Sequence, residues 1–240
     1  QQQFRLWHFY VQLLCSTEQG IYNMKKFLVL SLLALSTLAA FASPIKVDNE
    51  DGIYHIVLTG DKVKKQIQFI SSPSLITNRE AHKKAGSLLT INTGFFDPKN
   101  QKTISYIVND YQTVEDPLFN DNIMANPVLR QNLQKIINRT EFRVLDCDSK
   151  LKYEIAQHNS KVDFMCSVKT SAQGGPQLLP NLRLEEEFFI VKDKDGNIVR
   201  ESASVLHKTA RTLIGIKNLD GGAQEVHILI VTNQHPMDIY

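Results

Sequence analysis

Polar residues and a glycine that could form a binding turn follow an apolar run in the first half of the chain. Residues 87–91 are mostly aliphatic or β-branched, as in a buried strand. Asn92-Thr93-Gly94-Phe95-Phe96-Asp97-Pro98 comes directly afterwards. Gly94 can supply a positive φ, and Asn92 can hydrogen-bond either a ligand or its own turn. On this stretch alone, an ordinary junction between a strand and a loop is the favoured interpretation.

Two later segments carry residue types suited to binding an anion. Gly174 and Gly175 stand in Ser-Ala-Gln-Gly-Gly-Pro and allow backbone N–H groups to approach a phosphate or sugar closely. Arg211 and Thr212 stand in Thr-Ala-Arg-Thr-Leu-Ile-Gly-Ile, where the planar, permanently charged guanidinium suits two phosphate oxygens at once. The plainer interpretations are a turn before Pro176 and a surface cation at the start of a strand.

Taken together, the three segments resemble a known family. Asn-x-Gly-Phe-Phe at 92–96, Gly-Gly-Pro-x-Leu at 174–178 and Arg-Thr-x-Ile-Gly-Ile at 211–216 occur in the order found in the phosphodiester glycosidase family. That family includes the domain of the enzyme that uncovers mannose 6-phosphate by removing N-acetylglucosamine. The resemblance extends from about residue 53 to the end of the sequence.

The resemblance implies that these motifs line one active-site cleft. No cofactor and no metal ligand is predicted from the sequence, which does not identify any metal. The residues that the resemblance assigns to catalysis are Asn92 and Arg211. The resemblance assigns Gly94, Gly174 and Gly175 to substrate binding, and Phe95, Phe96 and Thr212 are predicted to join them. Since Phe95 and Phe96 are adjacent, one ring can anchor the turn in the core while the other faces the cleft.

The chain departs from the family pattern at two places. Thr232-Asn233-Gln234 stands where family members carry Asp-Gly, and their final Asn-Leu-Asp-Gly-Gly-Gly-Ser segment has no counterpart before Tyr240. The similar string at 218–222 is interpreted as turn chemistry. We therefore expect residues 43–240 to be a C-terminally incomplete phosphodiester glycosidase-like domain. Asp97 is the one acid inside a matching motif, and a role as a turn cap is favoured for it.

The expected function is that of an exported hydrolase that cleaves a sugar 1-phosphate diester in an envelope or extracellular glycan such as an exopolysaccharide. The alternative is a non-catalytic glycan-binding module, or an inactive fragment, with the same fold. The expected partner is a phosphorylated glycan or a sugar-phosphate diester.

The N-terminal residues predict export. Met24, Lys25 and Lys26 precede an apolar run at 27–38 and the small-residue pattern Ala-Phe-Ala at 40–42, which together predict a signal peptide over 24–42. A retained signal anchor is the alternative, and no later segment predicts a membrane span. Residues 1–23 show no helical or strand period and are interpreted as an upstream translation artefact. The expected location is secreted or periplasmic.

Charge argues against nucleic acid as a partner. Residues 1–42 hold three of the 27 basic and one of the 25 acidic residues, so 24 of each remain in the rest of the chain. No basic stripe is left for a phosphate backbone. Cys147 and Cys166 can form a disulfide in an oxidising compartment or remain buried thiols, and neither has the spacing of a zinc ligand.

The pattern of elements predicts an α+β, strand-rich mixed-sheet domain with a few short helices. Strands are expected at 53–58 and 66–70 around a turn, and at 87–91, 104–108, 142–145, 150–156, 188–192 and 198–201. A hairpin is expected from 212–216 and 226–231. Helices are expected at 79–84 and 128–137, whereas residues 43–51 and 113–126 are expected to lack regular structure.

Overall fold

The structure is a computed structural model, and it describes residues 9–13, 43–72, 75–188, 190–201, 206–234 and 236–237. The strands are β1 (Phe9–Leu13), β2 (Ile45–Glu50), β3 (Ile53–Leu58), β4 (Ile67–Ile70), β5 (Leu89–Thr93), β6 (Ile107–Asn109), β7 (Gln112–Glu115), β8 (Thr140–Cys147), β9 (Lys150–Gln157), β10 (Cys166–Gln173), β11 (Val191–Lys192), β12 (Ile198–Arg200), β13 (Arg211–Asn218) and β14 (Gln224–Val231). The helices are α1 (Asp61–Gln66), α2 (Asn78–Ala85), α3 (Asp121–Ala125), α4 (Pro127–Gln131), α5 (Leu133–Ile137) and α6 (Leu184–Glu187), with short 3₁₀ helices at Pro117–Phe119 and Asp220–Gly222.

Antiparallel pairing joins the strands into two larger and two smaller sheets. The larger ones have the orders β7-β6-β10-β8-β9 and β13-β14-β3-β2, and the smaller ones have the orders β4-β1-β5 and β11-β12. Few and short helices beside many strands confirm the predicted α+β, strand-rich class. Within the described ranges, no helix has the length and apolarity to cross a membrane.

The main hydrophobic core lies where the five-stranded and four-stranded sheets meet β4 and β5. Alternate residues of each strand point into it, as the period of two in a strand requires. Its buried members are Ile56, Leu58, Val63, Ile67, Phe69, Ile91, Ile107, Phe142, Val144, Tyr153, Ala172, Val226 and Ile228. The core therefore fixes β5, β10 and β13, which carry or precede the three motifs.

Elements with strong local signals form as predicted. The side chain of Thr77 accepts from the backbone N–H of Glu80, and the Glu80 carboxylate accepts from the backbone N–H of Thr77, so a capping box starts α2. Gly86 ends the helix in the left-handed conformation. Strands β13 and β14 pair in full register as the predicted hairpin.

Several sequence-based predictions are wrong. Residues 45–50 form the edge strand β2, whose mostly exposed side chains give no alternating pattern. Strands β3 and β4 belong to different sheets, because α1 separates them. The region 113–126 contains part of β7, a 3₁₀ helix and α3.

Two more corrections concern the predicted helix and the N-terminal residues. The helix expected at 128–137 is divided into α4 and α5 at Asn132. Strand β1 pairs with β4 and β5 and lies within residues 1–23, where no regular element was predicted. The predicted signal peptide at 24–42 lies outside the described residues.

Cys147 and Cys166 form a disulfide, which is one of the two states that the sequence allows. The two residues are directly paired across β8 and β10, and 19 positions separate them in sequence. In the chain-entropy model, a bridge that closes a loop of this size stabilises by about 3 kcal/mol.

We expect the double substitution Cys147→Ser and Cys166→Ser to lower the free energy of unfolding by about 3 kcal/mol. The reason is that the unfolded chain regains the entropy of a 20-residue loop. Urea denaturation with and without reductant measures the change. Reductant should destabilise the wild type and leave the double variant unchanged, and an equal response of both proteins would contradict the assignment.

Candidate functional site

The first and third motifs meet through a hydrogen bond between side chains. Thr212 lies in β13, and its Oγ1 donates to Oδ1 of Asn92 in β5 at 2.7 Å. Both side chains are half-buried. Two residues that are 120 positions apart in sequence thus share one hydrogen bond, so the structure brings together one predicted catalytic and one predicted binding residue.

The first and second motifs meet at Gly94. Its φ is +70°, and a Cβ built there would lie 3.4 Å from the Cβ and Oγ of Ser105 and 3.6 Å from the carbonyl oxygen of Gln173. Ser105 Oγ also accepts from the backbone N–H of Phe95 at 2.8 Å. Glycine at 94 therefore serves both the turn and the close approach to β10, which ends just before Gly174.

The Gly174–Gly175 turn lies against a buried carboxylate. Gly174 N–H donates to the carbonyl of Thr140 at 2.9 Å. The carboxylate of Glu187 accepts from Thr140 twice, from the backbone N–H at 3.0 Å and from Oγ1 at 2.6 Å. It also pairs with Arg183 Nε at 3.2 Å. Gly175, with φ +88°, leaves the space that Glu187 occupies.

Arg139 places a positive charge behind the same turn. Its side chain is almost fully buried, lies 4.8 Å from the centre of the Phe95 ring, and donates from Nη2 to the carbonyl of Ile104. Burial lowers the pKa of Arg139 to about 10, and the charge of Glu187 opposes that change, so the group stays charged at neutral pH. Its Nε is buried without a hydrogen-bond partner among the described residues.

The two aromatic residues of the first motif pack in different clusters. Phe96 contacts the main core, whereas Phe95 contacts the small cluster of Leu184 and Phe188. The Phe95 and Phe188 rings meet edge to face with centroids 5.4 Å apart. Phe95 and Phe96 are half-buried, whereas Phe188 is buried, and a stacking role of Phe95 or Phe96 against a sugar stays a prediction.

Arg211 begins β13 next to Thr212. Its Nε donates to the carbonyl of Met237 at 2.9 Å and its Nη2 to the carbonyl of His207 at 2.7 Å. These two bonds fix the plane of the guanidinium at the edge of the four-stranded sheet. Arg211 and Thr212 are consecutive residues of β13, so their side chains point to opposite faces of the strand.

Asp97 serves the turn in which it lies. Its Oδ1 accepts from the backbone N–H of Lys99 at 2.8 Å, and its Oδ2 accepts from Asn122 Nδ2 at 3.1 Å. This is the favoured turn-capping role. The acid inside the first motif therefore organises the loop and does not point to catalysis.

Sequence reasoning missed the buried charged residues Arg139 and Glu187. Charged side chains are expected at the surface, and the only pattern that contains either residue is the formal glycosylation sequon Asn138-Arg139-Thr140, which does not indicate burial. Arg139 follows the polar Asn138, and Glu187 ends the acidic run 185–187, which is typical of a solvated helix. The contacts of Arg139 and Glu187 with the motif segments form only in the folded protein, where the turn that follows β10 places Gly175 against Glu187 at the end of α6.

This arrangement suits an anionic, hydroxyl-rich ligand. The first motif and its neighbours supply the Asn92–Thr212 amide–hydroxyl pair, the half-buried ring of Phe95 and the buried guanidinium of Arg139. Arg211 lies on the other face of β13, and the N–H of Gly174 already donates to the carbonyl of Thr140. The described residues contain no group of three or more histidine, cysteine, aspartate or glutamate side chains that could hold a metal ion.

Comparisons with known proteins add no relative. No protein-family model, no curated protein and no solved structure matches this chain.

Proposed function

We propose that this protein is an exported hydrolase of the phosphodiester glycosidase type, acting on a sugar 1-phosphate diester in an envelope or extracellular glycan. The observation that carries the proposal is the meeting of the three motif segments. Asn92 bonds Thr212, and Gly94 packs on the strand that ends before Gly174.

The charges around this meeting point support an anionic substrate. A phosphodiester carries one negative charge, and Arg211, which precedes Thr212 on the opposite face of β13, has its guanidinium plane fixed by two carbonyls. Arg139 adds a second, buried positive charge behind Phe95. Preorganised charges of this kind stabilise the charge that develops on a departing phosphate.

The alternative is a glycan-binding module that does not turn over its ligand. The observation in its favour is the position of Asp97, because this acid caps its own turn. A binding module with this site would hold the same sugar phosphate and release it unchanged.

Replacement of Arg211 by alanine is expected to lower kcat/KM of the full-length protein by at least about 10²-fold, since a charged donor to the departing phosphate is lost. The measurement uses methyl diesters of hexose and N-acetylhexosamine 1-phosphates in both anomeric forms, with detection of free sugar and methyl phosphate. The variant Arg130→Ala, which removes an exposed arginine on α4, serves as the matched control and should keep wild-type activity.

The outcomes separate the two functions. Cleavage that depends on Arg211 supports the hydrolase. Saturable binding of a diester by the wild type without release of sugar would favour the binding module. Full activity in an Arg211→Ala protein with an unchanged melting temperature would contradict the assigned role of this residue.

A further inference from the structure

One edge of the four-stranded sheet is the strand β2. It ends the order β13-β14-β3-β2, and among the described strands it pairs only with β3. All of its side chains except that of Ile45 are exposed. An edge strand presents unpaired backbone groups to any strand that can lie beside it, so the question is which strand fits β2.

Alternate residues of β2 turn their backbone groups toward β3. The hairpin between the two strands closes with the turn 51–52, whose residues have positive φ values of 49° and 79°. Such a two-residue turn makes its flanking residues, Glu50 and Ile53, a hydrogen-bonded pair. Just before β2, the carbonyl of Pro44 accepts from the N–H of Thr59 at 2.9 Å. Both ends therefore place the even-numbered residues in the bonds to β3.

The odd-numbered residues of β2 point their backbone groups away from β3. Those of Ile45 are bonded to the hydroxyl of Ser43, which accepts from the N–H at 3.3 Å and donates to the carbonyl at 2.8 Å. The N–H and C=O groups of Val47 and Asn49 have no backbone hydrogen bond within the described ranges. A second strand can therefore bond to the middle and the end of β2.

The charges of β2 are complementary to those of a second, antiparallel copy. Lys46 and Asp48 lie on the same face of the strand, on either side of Val47. In an antiparallel pair centred on Val47, each Lys46 faces the partner's Asp48, and the two valines form the central hydrogen-bonded pair. Lysine and aspartate then occupy the closer, non-hydrogen-bonded positions, with Cα atoms about 4.5 Å apart.

Neighbouring registers lack this match. Because the outward backbone groups alternate, the two-fold axis passes through a residue and not between two residues. A centre shifted by one residue, to Lys46 or Asp48, sets two like charges against each other, which is unfavourable. A centre shifted by two residues either sets Asp48 against the partner's Glu50 or leaves Lys46 without a charged counterpart. The charge pattern therefore selects Val47 as the centre.

Charges on an edge strand can also keep other strands away. Such protection depends on charges that meet no opposite charge on the incoming strand, whereas β2 carries one charge of each sign around Val47. The side chain of Val47 favours pairing as well, because it is 55% exposed on the core face of the sheet, opposite Ile56. In the pair centred on Val47, the two valine side chains would cover each other.

The opposite edge of the sheet is less open. Thr209, which precedes β13, exchanges two backbone hydrogen bonds with Met237, so residues of the same chain cover part of that edge. Strand β13 lies three strands from β2, which is about 14 Å at the usual strand spacing. Pairing through β2 therefore leaves Thr212 and the candidate site uncovered.

We infer that β2 is a homodimerisation surface, through which two copies of this chain join their four-stranded sheets into one antiparallel sheet across a two-fold axis at Val47. The partner is a second copy because the strand is complementary to itself. The pairing depends on β2 and not on the proposed activity. A single strand pair buries less area than a standard interface, so we expect a Kd of about 10 μM to 1 mM.

The test exchanges the two charges in the full-length protein and measures Kd by sedimentation equilibrium. Lys46→Asp and Asp48→Lys each create two like-charge pairs across the axis, so each variant alone should dimerise at least about tenfold more weakly than the wild type. An equimolar mixture of the two variants should dimerise like the wild type, because every facing pair in the mixed dimer is then aspartate with lysine. The double variant, with both charges exchanged, should also recover the wild-type Kd.

A matched control and hydrogen exchange locate the surface. Lys152 is an exposed lysine on β9, the edge strand of the five-stranded sheet, so Lys152→Asp should leave the Kd unchanged. The amides of Val47 and Asn49 should be protected in the dimer and exchange faster on dilution. Those of Lys46 and Asp48, which bond to β3, should be protected at every concentration.

Three results would overturn the inference. The first is a wild type that stays monomeric at about 1 mM, the weak end of the expected range. The second is a dimer that both single charge variants form as tightly as the wild type, which would place the contact elsewhere. The third is a monomer in which the amides of Val47 and Asn49 are already protected, because another segment of the same chain would then occupy this edge.

Discussion

Replacement of Gly175 by alanine is expected to lower the free energy of unfolding by about 2 to 5 kcal/mol. Its φ of +88° is unfavourable for alanine, at about 1 to 2 kcal/mol. The new Cβ would also lie less than 3.0 Å from Oε2 of Glu187. That oxygen accepts from the buried backbone N–H of Thr140, so moving it away exposes an unsatisfied donor at a further cost of about 1 to 3 kcal/mol.

The neighbouring glycine provides the control. A Cβ on Gly174 meets no atom within 4 Å, so Gly174→Ala should change stability far less. Urea denaturation of the two variants and the wild type gives the comparison. Equal stability of both variants would contradict the placement of Glu187 against the turn. In a folded Gly175→Ala protein, binding of a sugar phosphate should also weaken, because the turn has moved.

Replacement of Arg143 by leucine is expected to lower the free energy of unfolding by about 3 to 5 kcal/mol or more, which can prevent folding. The arginine neutralises the buried Glu141 and satisfies the carbonyls of Gln157 and His158. Removing one partner of a buried ion pair leaves the other charge uncompensated, which accounts for this magnitude. Thermal and urea denaturation measure the loss.

A second substitution tests whether the uncompensated charge of Glu141 causes the loss of stability in Arg143→Leu. In the double variant Arg143→Leu and Glu141→Gln, the uncompensated charge is absent, and part of the lost stability should return. Lys102→Ala, which breaks the exposed pair with Asp121, should have no measurable effect on unfolding. An Arg143→Leu protein as stable as Lys102→Ala would contradict the burial of this cluster.

Helix α2 and the β13–β14 hairpin could be predicted because the residues that define each of them lie close together in the sequence. The capping box of Thr77 and Glu80, with Gly86 at the other end, defines α2 without reference to the rest of the chain. The aliphatic runs of β13 and β14, joined by an Asp-Gly-Gly turn, define a hairpin. In both cases the decisive residues lie within about 20 positions of one another.

Elements that depend on distant partners were not predicted. Strand β10 contains Ser167, Lys169, Thr170 and Ser171, which is a composition typical of a loop, yet it lies between β6 and β8 in the five-stranded sheet. The edge strand β2 is mostly exposed and has no apolar period. Tertiary pairing decides such strands, and propensity gives little guidance there.

In the candidate site and the sheet beside it, the motif residues could also be predicted from the sequence, whereas the buried charged residues could not. The motif residues Asn92 and Thr212 were predicted to belong to one site, and they bond each other. Glu141 and Arg143 alternate with the core residues Phe142 and Val144, a pattern typical of a half-exposed strand. Their burial follows from the cover that residues 157–160 provide, which the sequence does not reveal.

A titration followed by NMR tests whether the three distant segments form one site for a sugar phosphodiester. The ligand is a methylene-phosphonate analogue of a sugar 1-phosphate diester, which cannot be hydrolysed at the anomeric bond, added to the ¹⁵N-labelled full-length protein. We predict that the amide signals of Gly94, Gly174 and Thr212 shift together along one binding isotherm while those of Gly60 and Gly196 stay in place. Shifts in only one of the three segments, or unchanged signals in all of them at saturating analogue, would contradict the claim.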